Sequence, residues 1–581
     1  MPTPPTSNPD SRYRAWRRQT ALCALLLFAI TLLVLRIPGG LFPLRQVQTQ
    51  DALPLFVLSI SLFVAAFWTP RWRLPSRAPK PLLLGAMAIL AIGMLAHGTY
   101  AIMGNFPLSI DERMVVFDMA VFDRGRLAAP LAPEWRSYVN ALFSAPLLSP
   151  NMPTGVVSSY LPMNALLRLG FSKLANPALF DPLLAVAGGA ALWDIAKRTF
   201  GKDDPACWVV LLVYALSAQM LANAMTVYSM TAHMALNIIW LAAFLRGGRM
   251  GHSAAILIGF VATGLHQLAF HPFFVAPFLL WRLHQGHWKV VVTYAVAYAA
   301  IILWWAGYPT FAAHEVASGL ANPPETSLMS RIATAFAERR GDTLLTTILN
   351  VLRFLAWQNL ALLPLLIAAG TVVIKDRGLP AVLMLGIGLW MAFITIVIPF
   401  QGLGWGYRYL HPYLGSFALL AGYGYRQLSG VIGQRTDGVV LSLSTITAGL
   451  TIPSLLLGAH RVVEPYLSLD RLIADQRTPM VLVDTDLGLT TRGGWSGNAI
   501  EDVYNLPDLS NRPLRLSSMG TNAELLENLC RRGKITLITR RDQRRVGFPL
   551  VTEPDSPRFA EQIQSVGSKM PGCFVSASRR R

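Results

Sequence analysis

Long apolar blocks without alternation dominate this chain. Residues 22–35, 53–68 and 82–103 run almost free of charge. Runs near twenty residues match the hydrocarbon thickness of a bilayer, and a buried soluble helix seldom stays apolar on every face for that long. The pattern predicts about thirteen membrane-spanning helices, at 21–36, 52–69, 81–103, 177–195, 206–223, 226–245, 253–268, 271–283, 290–307, 355–374, 379–400, 409–425 and 437–457. The pair 253–268 and 271–283 is short enough to be re-entrant. The expected fold class is a polytopic α-helical membrane protein ending in a small C-terminal α/β domain.

Polar residues between the blocks orient them. Segments placed inside carry Arg71, Arg73, Arg77 and Lys80, then Lys197, Arg198 and Lys202, then Arg246 and Arg249, Arg282 and Lys289, Lys375 and Arg377, and Arg426 and Arg435. Short segments placed outside hold only Arg36, Arg45 and Arg408. That asymmetry follows the positive-inside rule. Arg12, Arg14, Arg17 and Arg18 precede the first block with no small-residue cleavage site after it, which predicts a retained helix and a cytoplasmic N-terminus. An odd number of spans then puts the tail on the periplasmic or extracellular side of the cell inner (plasma) membrane.

Composition agrees with this picture. Only 14% of the 581 residues are charged and 53% are hydrophobic, against about a quarter charged in soluble chains. The net charge of +19 would suit nucleic acid or anionic lipid. The basic residues lie between apolar blocks and form no separate basic domain, so no nucleic-acid partner is expected.

Three divisions follow: 1–80 with the N-terminal tail and two spans, 81–457 with the remaining spans, and 458–581 outside. Two outer loops are long, 104–176 and 308–354, and loops of that length are commonly functional. Residues 113–127 mix Met, Val and Phe with Asp118, Asp123 and Arg124, predicting an amphipathic helix lying on the membrane face. Pro130, Pro133, Pro150 and Pro153 break the chain, and 161–174 reads as a second interfacial helix. In the tail, 480–483 and 534–538 read as strands and 522–531 as a helix. Cys530 and Cys573 lie there and are able to pair in an oxidising compartment, or to remain free.

Three places hold candidate chemistry. Ser109-Ile110-Asp111-Glu112-Arg113 sets two adjacent carboxylates at the outer surface, where charge near lipid is costly. Such a pair can act as a general base or hold a divalent cation, Mg or Mn; the bland alternative is a helix start capped by Asp111. Arg408 is the one basic residue of its outer loop, in Gly406-Tyr407-Arg408-Tyr409-Leu410-His411-Pro412. It suits a phosphate, with Tyr407, Tyr409 and His411 as donors, or a snorkelling Arg in an aromatic belt. His266 and His271, at the outer end of the seventh and eighth spans, are further phosphate candidates, but their spacing of five excludes one helix face. The residues establish no cofactor.

An outer Asp-Glu pair after an early span, a late Arg-Tyr-x-x-Pro at the start of a returning helix, and an outside C-terminal domain together resemble the GT-C glycosyltransferases, especially bacterial aminoarabinose transferase and protein mannosyltransferase-like proteins. The resemblance spans about 81–426 in layout, and its specific residues are Asp111-Glu112 and Arg408-Tyr409-Leu410-His411-Pro412. It implies transfer of a sugar from a polyprenyl-phosphate-linked donor to a lipid, glycan or protein acceptor on the outer face. Asp111 is then the expected base, Glu112 and Arg113 its neighbours, and Arg408 the phosphate ligand with Tyr407, Tyr409, His411, His266 and His271. The acidic motif follows the third span here, not the first; the outer turn 223–229 lacks a carboxylate, and His271 stands where those proteins carry a basic residue. A non-catalytic assembly or scaffolding protein, in which the carboxylate pair is dispensable, is one alternative, and two rivals share the layout. One is a transporter or flippase of lipid-linked sugars, which needs polar residues inside several spans. The other is an O-antigen polymerase or ligase, for which Arg331, Arg339 and Arg340 of the 308–354 loop are the candidates.

Overall fold

The computed structural model describes residues 9–39, 41–77, 79–143, 154–314, 316, 342–485, 503–548 and 554–577. The chain is a polytopic helical membrane protein. Among the described residues, seven helices are long and apolar enough to cross a bilayer: α1 (Pro9–Arg36, apolar from Ser11), α2 (Phe42–Phe67), α3 (Pro81–Ala101), the Pro177–Phe200 helix, Trp288–Ala313, Leu379–Val397 and Arg435–Ala474. After α3 come α4 (Ile110–Phe122) and α5 (Met163–Ser172), and the 177–200 segment is α6. Shorter helices follow: α7 (Ala206–Ala215), α8 (Ala218–Asn223), α9 (Met230–Arg246), α10 (Gly248–Thr263) and α11 (Phe270–His284). Then come α12 (Trp288–Ala313), α13 (Thr343–Ala356), α14 (Leu362–Lys375), α15 (Leu379–Val397), α16 (Leu414–Ile432) and α17 (Arg435–Ala474).

Every predicted span overlaps a helix, and three differences stand out. The 206–223 run breaks at Leu216–Ser217, where the Ser217 hydroxyl caps α8 by accepting from the Met220 amide at 3.2 Å. The predicted 355–374 span begins at Leu362, because α13 occupies 343–356 inside what reads as an outer loop. The predicted 437–457 span runs on to Ala474 as one helix. Arg331, Arg339 and Arg340 lie outside the described residues.

Helices cross where side chains are small, as membrane bundles require. A Cβ on Gly424 of α16 would lie 1.9 Å from the Leu365 carbonyl of α14, so only glycine allows that crossing. Elsewhere the core is aromatic: Trp240 and Phe244 stack at 4.8 Å, with Phe274, Phe278 and Tyr294 edge-on or tilted around them.

The tail carries a four-stranded parallel sheet: β3 (Met480–Val483), β4 (Leu514–Ser517), β5 (Ile535–Ile538) and β6 (Phe574–Ser576), ordered β4-β3-β5-β6, while a two-residue ladder, β1 (Ala129–Pro130) with β2 (Gly155–Val156), lies in the first long loop. β3 is buried on both faces, as a central parallel strand must be. Its alternate residues serve two cores. Val481 and Val483 join the helical bundle through the end of α17, while Met480 and Leu482 join Met114, Phe117 and Val121 of α4. Cys530, at the end of α18 (Ala523–Cys530), and Cys573, just before β6, form a disulfide.

The structure corrects the expected setting of α4. It is enclosed between the bundle and the sheet domain, with polar Glu112, Arg113 and Asp118 buried alongside its apolar residues. A helix lying on a membrane face would keep its polar side wet; this one is roofed by the tail, with Arg124 bonding Asp508 at 2.7 Å and Asn505 bonding the Leu142 carbonyl at 2.7 Å.

Candidate active site

The Asp-Glu pair divides its labour because of how α4 begins. Ser109, not Asp111, is the N-cap: its hydroxyl accepts from the Glu112 amide at 3.3 Å, while Glu112 Oε2 accepts from the Ser109 amide at 3.1 Å. This is a capping box, legible in the sequence as Ser-x-x-Glu. Glu112 is spent on that role. Its carboxylate also accepts from the Leu108 amide at 3.1 Å and the Val227 amide at 3.4 Å. Burial raises it to about 7 against the pull of those amide bonds.

Asp111, one residue earlier, is turned away from the cap. Its carboxylate accepts from Arg408 Nη1 and from the Tyr160 hydroxyl. Burial acts to raise its pKa; the Arg408 charge, His266 and the two hydrogen bonds outweigh it and hold the carboxyl below its usual range. It is therefore ionised at neutral pH. A cavity of about 130 Å³ opens beside the pair, bordered by Ser109, Asp111, Gln401, Gly402 and Arg408. Asp111 keeps 19% of its side chain exposed there, and Arg408 keeps 9%. Arg408 Nε has no hydrogen-bond partner among the described residues.

The loop before Arg408 is held carbonyl by carbonyl. Leu403 O accepts from the Tyr228 hydroxyl at 2.8 Å, Gly404 O from Arg353 at 3.0 Å, and Trp405 O from Asn223 at 3.4 Å. Gly406 O accepts from Gln401 at 3.0 Å and Tyr407 O from Gln219 at 2.9 Å, while the Arg408 amide donates to Gln401 Oε1 at 2.8 Å. Five consecutive carbonyls thus bind side chains, which makes the loop a rigid cradle. Its glycines are forced: a Cβ on Gly404 would meet Arg408 Cδ at 2.9 Å, and Gly406 sits at φ +67° against Gln219. The Arg408 guanidinium also lies 5.4 Å from the Tyr228 ring and 5.6 Å from the Tyr409 ring.

The other sequence candidates take varied places. The His266 ring lies tilted against that of Tyr160, 4.1 Å between centroids, next to Asp111. Tyr409 lies beside Arg408, with its hydroxyl donating to the Phe400 carbonyl at 3.2 Å. Tyr407 and His411 are fully buried, and neither the Tyr407 hydroxyl nor the His411 ring nitrogens has a hydrogen-bond partner among the described residues. His271 is also buried; its ring nitrogens contact Asn237 at 2.7 Å and the Tyr298 hydroxyl at 2.8 Å, so both are taken up inside the bundle. Arg113 points toward the tail, 4.4 Å from the Phe106 ring and 5.2 Å from that of Tyr504. No three His, Cys, Asp or Glu side chains converge as a metal site among the described residues. Asp111 instead faces a guanidinium and a hydroxyl, a donor set that does not fit a metal ion.

Sequence reasoning missed Tyr160, Tyr228, Gln219, Asn223 and Arg353. Gln219 and Asn223 offered a signal: they are polar, four apart on one helix face, inside an otherwise apolar run. The outer turn 223–229 does reach the site, but through Tyr228 and the Val227 amide instead of a carboxylate.

No family model matches the chain, and no curated protein matches it. Among solved structures it is similar to ArnT from Cupriavidus metallidurans in the apo state, at 12% identity and a TM-score of 0.45, over 85% of this chain and 89% of that one. ArnT from the same organism bound to undecaprenyl phosphate aligns at 13% identity and a TM-score of 0.49, over 84% and 88%. Identity and overlap at this level leave the chemistry to be read from the site itself.

Proposed function

We propose that this protein is a membrane glycosyltransferase that takes a sugar from a polyprenyl-phosphate donor on the side of the membrane bearing the α/β domain. The observation that carries this reading is the Asp111–Arg408 pair. Two residues 297 apart in sequence meet beside a cavity, one an ionised carboxylate and the other a cation that borders the same cavity. That combination suits displacement of a phosphate by a hydroxyl. The acceptor oxygen attacks the anomeric carbon and the bond from that carbon to the phosphate oxygen breaks. The electron pair leaves with the phosphate, whose charge Arg408 offsets, and the acceptor proton passes to Asp111. The phosphate oxygens compete with Asp111 for the guanidinium, so donor binding frees the base. The polyprenyl chain stays in the bilayer.

Glu112, committed to the helix cap, holds Asp111 in place by fixing the start of α4. The disulfide, which belongs in an oxidising compartment, and the basic opposite end of the bundle both support a periplasmic or extracellular tail and a cytoplasmic N-terminus. The transporter reading has one observation in its favour: buried pairs such as Arg168–Asp181, at 2.5 Å, lie within the bundle. Each is matched with its counter-charge inside the protein, and the cavity of the site lies at one end of the helices.

The test is mass spectrometry of surface glycans and glycolipids in a deletion strain complemented with wild type or Asp111→Asn at matched membrane abundance. Wild type should restore a missing sugar while Asp111→Asn does not and accumulates sugar-loaded carrier. Full restoration by Asp111→Asn would sink the mechanism and favour transport.

A further inference from the structure

One of the five loop carbonyls is held from outside the site. Arg353 on α13 is completely buried. Its Nη2 donates to Gly404 O at 3.0 Å, its Nε to Asp51 at 2.9 Å and its Nη1 to Gln46 Oε1. The second oxygen of Asp51 accepts from Trp357 Nε1 at 2.6 Å. Asp51 and Gln46 belong to α2, in and beside a π-helical turn at Val47–Asp51, and π turns inside helices mark places where a helix is bent to a purpose. All three guanidinium nitrogens are therefore bound, two to α2 and one to the loop before Arg408.

An apolar pair of similar volume would fill this space at least as stably, since removing two charges from water costs about what their attraction returns. What apolar side chains cannot do is hold the Gly404 carbonyl. The Arg408 stem runs directly against Gly404, so a shift of that peptide moves the guanidinium. Asp51 also neutralises Arg353, whose charge is close enough to Arg408 to act on it. Without Asp51 the cradle would hold an uncompensated Arg353 charge beside Arg408.

We infer that Asp51 and Arg353 are positioning residues: through them the N-terminal helix α2 grips the loop that aims Arg408 into the cavity. Helix α2 is thus part of the site's support. The inference rests on the function proposed above only for the identity of the ligand that Arg408 meets.

The experiment uses the full chain in detergent, as wild type, Arg353→Lys and the double variant Asp51→Leu with Arg353→Met. Hydrogen exchange is followed in peptides covering 398–410, and binding of undecaprenyl phosphate is titrated in parallel. The double variant should fold, with α2 exchanging as in wild type. Its 398–410 backbone should exchange roughly tenfold faster, and carrier affinity should fall roughly tenfold, the value of one lost charge-assisted hydrogen bond. Arg353→Lys keeps the charge but not the fork and should fall between. It remains the decisive variant if the double one does not fold. Unchanged exchange at 398–410 in a folded variant would overturn the positioning role. Faster exchange in a protein whose wild type binds no carrier keeps that role and removes the phosphate reading instead.

Discussion

Two Asp–Arg pairs stand within one loop of each other and differ in nearly every respect. Asp51–Arg353 is wholly buried at 2.9 Å, and every nitrogen of its guanidinium is engaged. Asp111–Arg408 borders a cavity, and Arg408 Nε is unused among the described residues. The first pair is saturated, so any exchange of partners would leave a buried charge alone. The second is incomplete and reachable, so a phosphate can take the place of Asp111 at small cost. The difference separates an ion pair that builds a site from one that works in it, and partner count with access makes the distinction where distance does not.

That contrast can be broken in four ways. The largest effect is expected at the working pair. Arg408→Ala and Asp111→Asn should each lower sugar transfer by about 10²–10⁴-fold, with little change in melting temperature. They should part company in binding. Arg408→Ala loses undecaprenyl phosphate, whereas Asp111→Asn binds it more tightly, because the guanidinium no longer has an anionic competitor. Weaker carrier binding by Asp111→Asn, titrated in detergent, would refute partner exchange.

Next comes the supporting pair. Arg353→Met alone leaves Asp51 buried without a counter-charge and should cost about 3–5 kcal/mol of stability, read from thermal unfolding. A loss as small as that of Arg408→Ala would erase the contrast.

Glu112 sharpens the comparison through pH. Its folded value of about 7 lies above the ordinary 4.5, so burial favours the protonated form. The associated stabilisation, on the order of 3 kcal/mol, is complete below pH 4.5 and is lost as pH rises through 7. Glu112→Gln should remove that slope from a stability–pH profile. A slope that persists would assign it to another group.

The smallest effect belongs to the exposed pair joining the loop to the tail. Arg124→Ala, which breaks the 2.7 Å contact with Asp508, should cost under about 1 kcal/mol. A larger loss of stability would mean that this contact, and not the shared apolar core, holds the roof on α4.

Much of this was legible in the chain. Hydropathy located the spans because a bilayer demands twenty apolar residues whatever their neighbours do. The strands at 480–483 and 534–538 showed themselves by β-branched runs. Asp111 and Arg408 stood out because charge at the end of an apolar block has few structural excuses. The sequence also held the Ser-x-x-Glu signature that commits Glu112 to the helix cap, although the capping alternative weighed for this segment used Asp111.

Tertiary structure alone decided the rest. Helix α13 was hidden because its buried polar face, with Asn350 and Arg353, reads as a loop when no partner is known. Tyr160, Tyr228, Gln219, Asn223 and Arg353 carry no shared spacing; they converge because backbone carbonyls of one loop need donors, and any element within reach can supply them. Local pattern determined which segments enter the membrane and where charge is left at its edge, since each of those choices depends on a residue and its solvent. Which charges meet, which are saturated and which stay open depends on contacts between distant segments, and those exist only in the packed bundle.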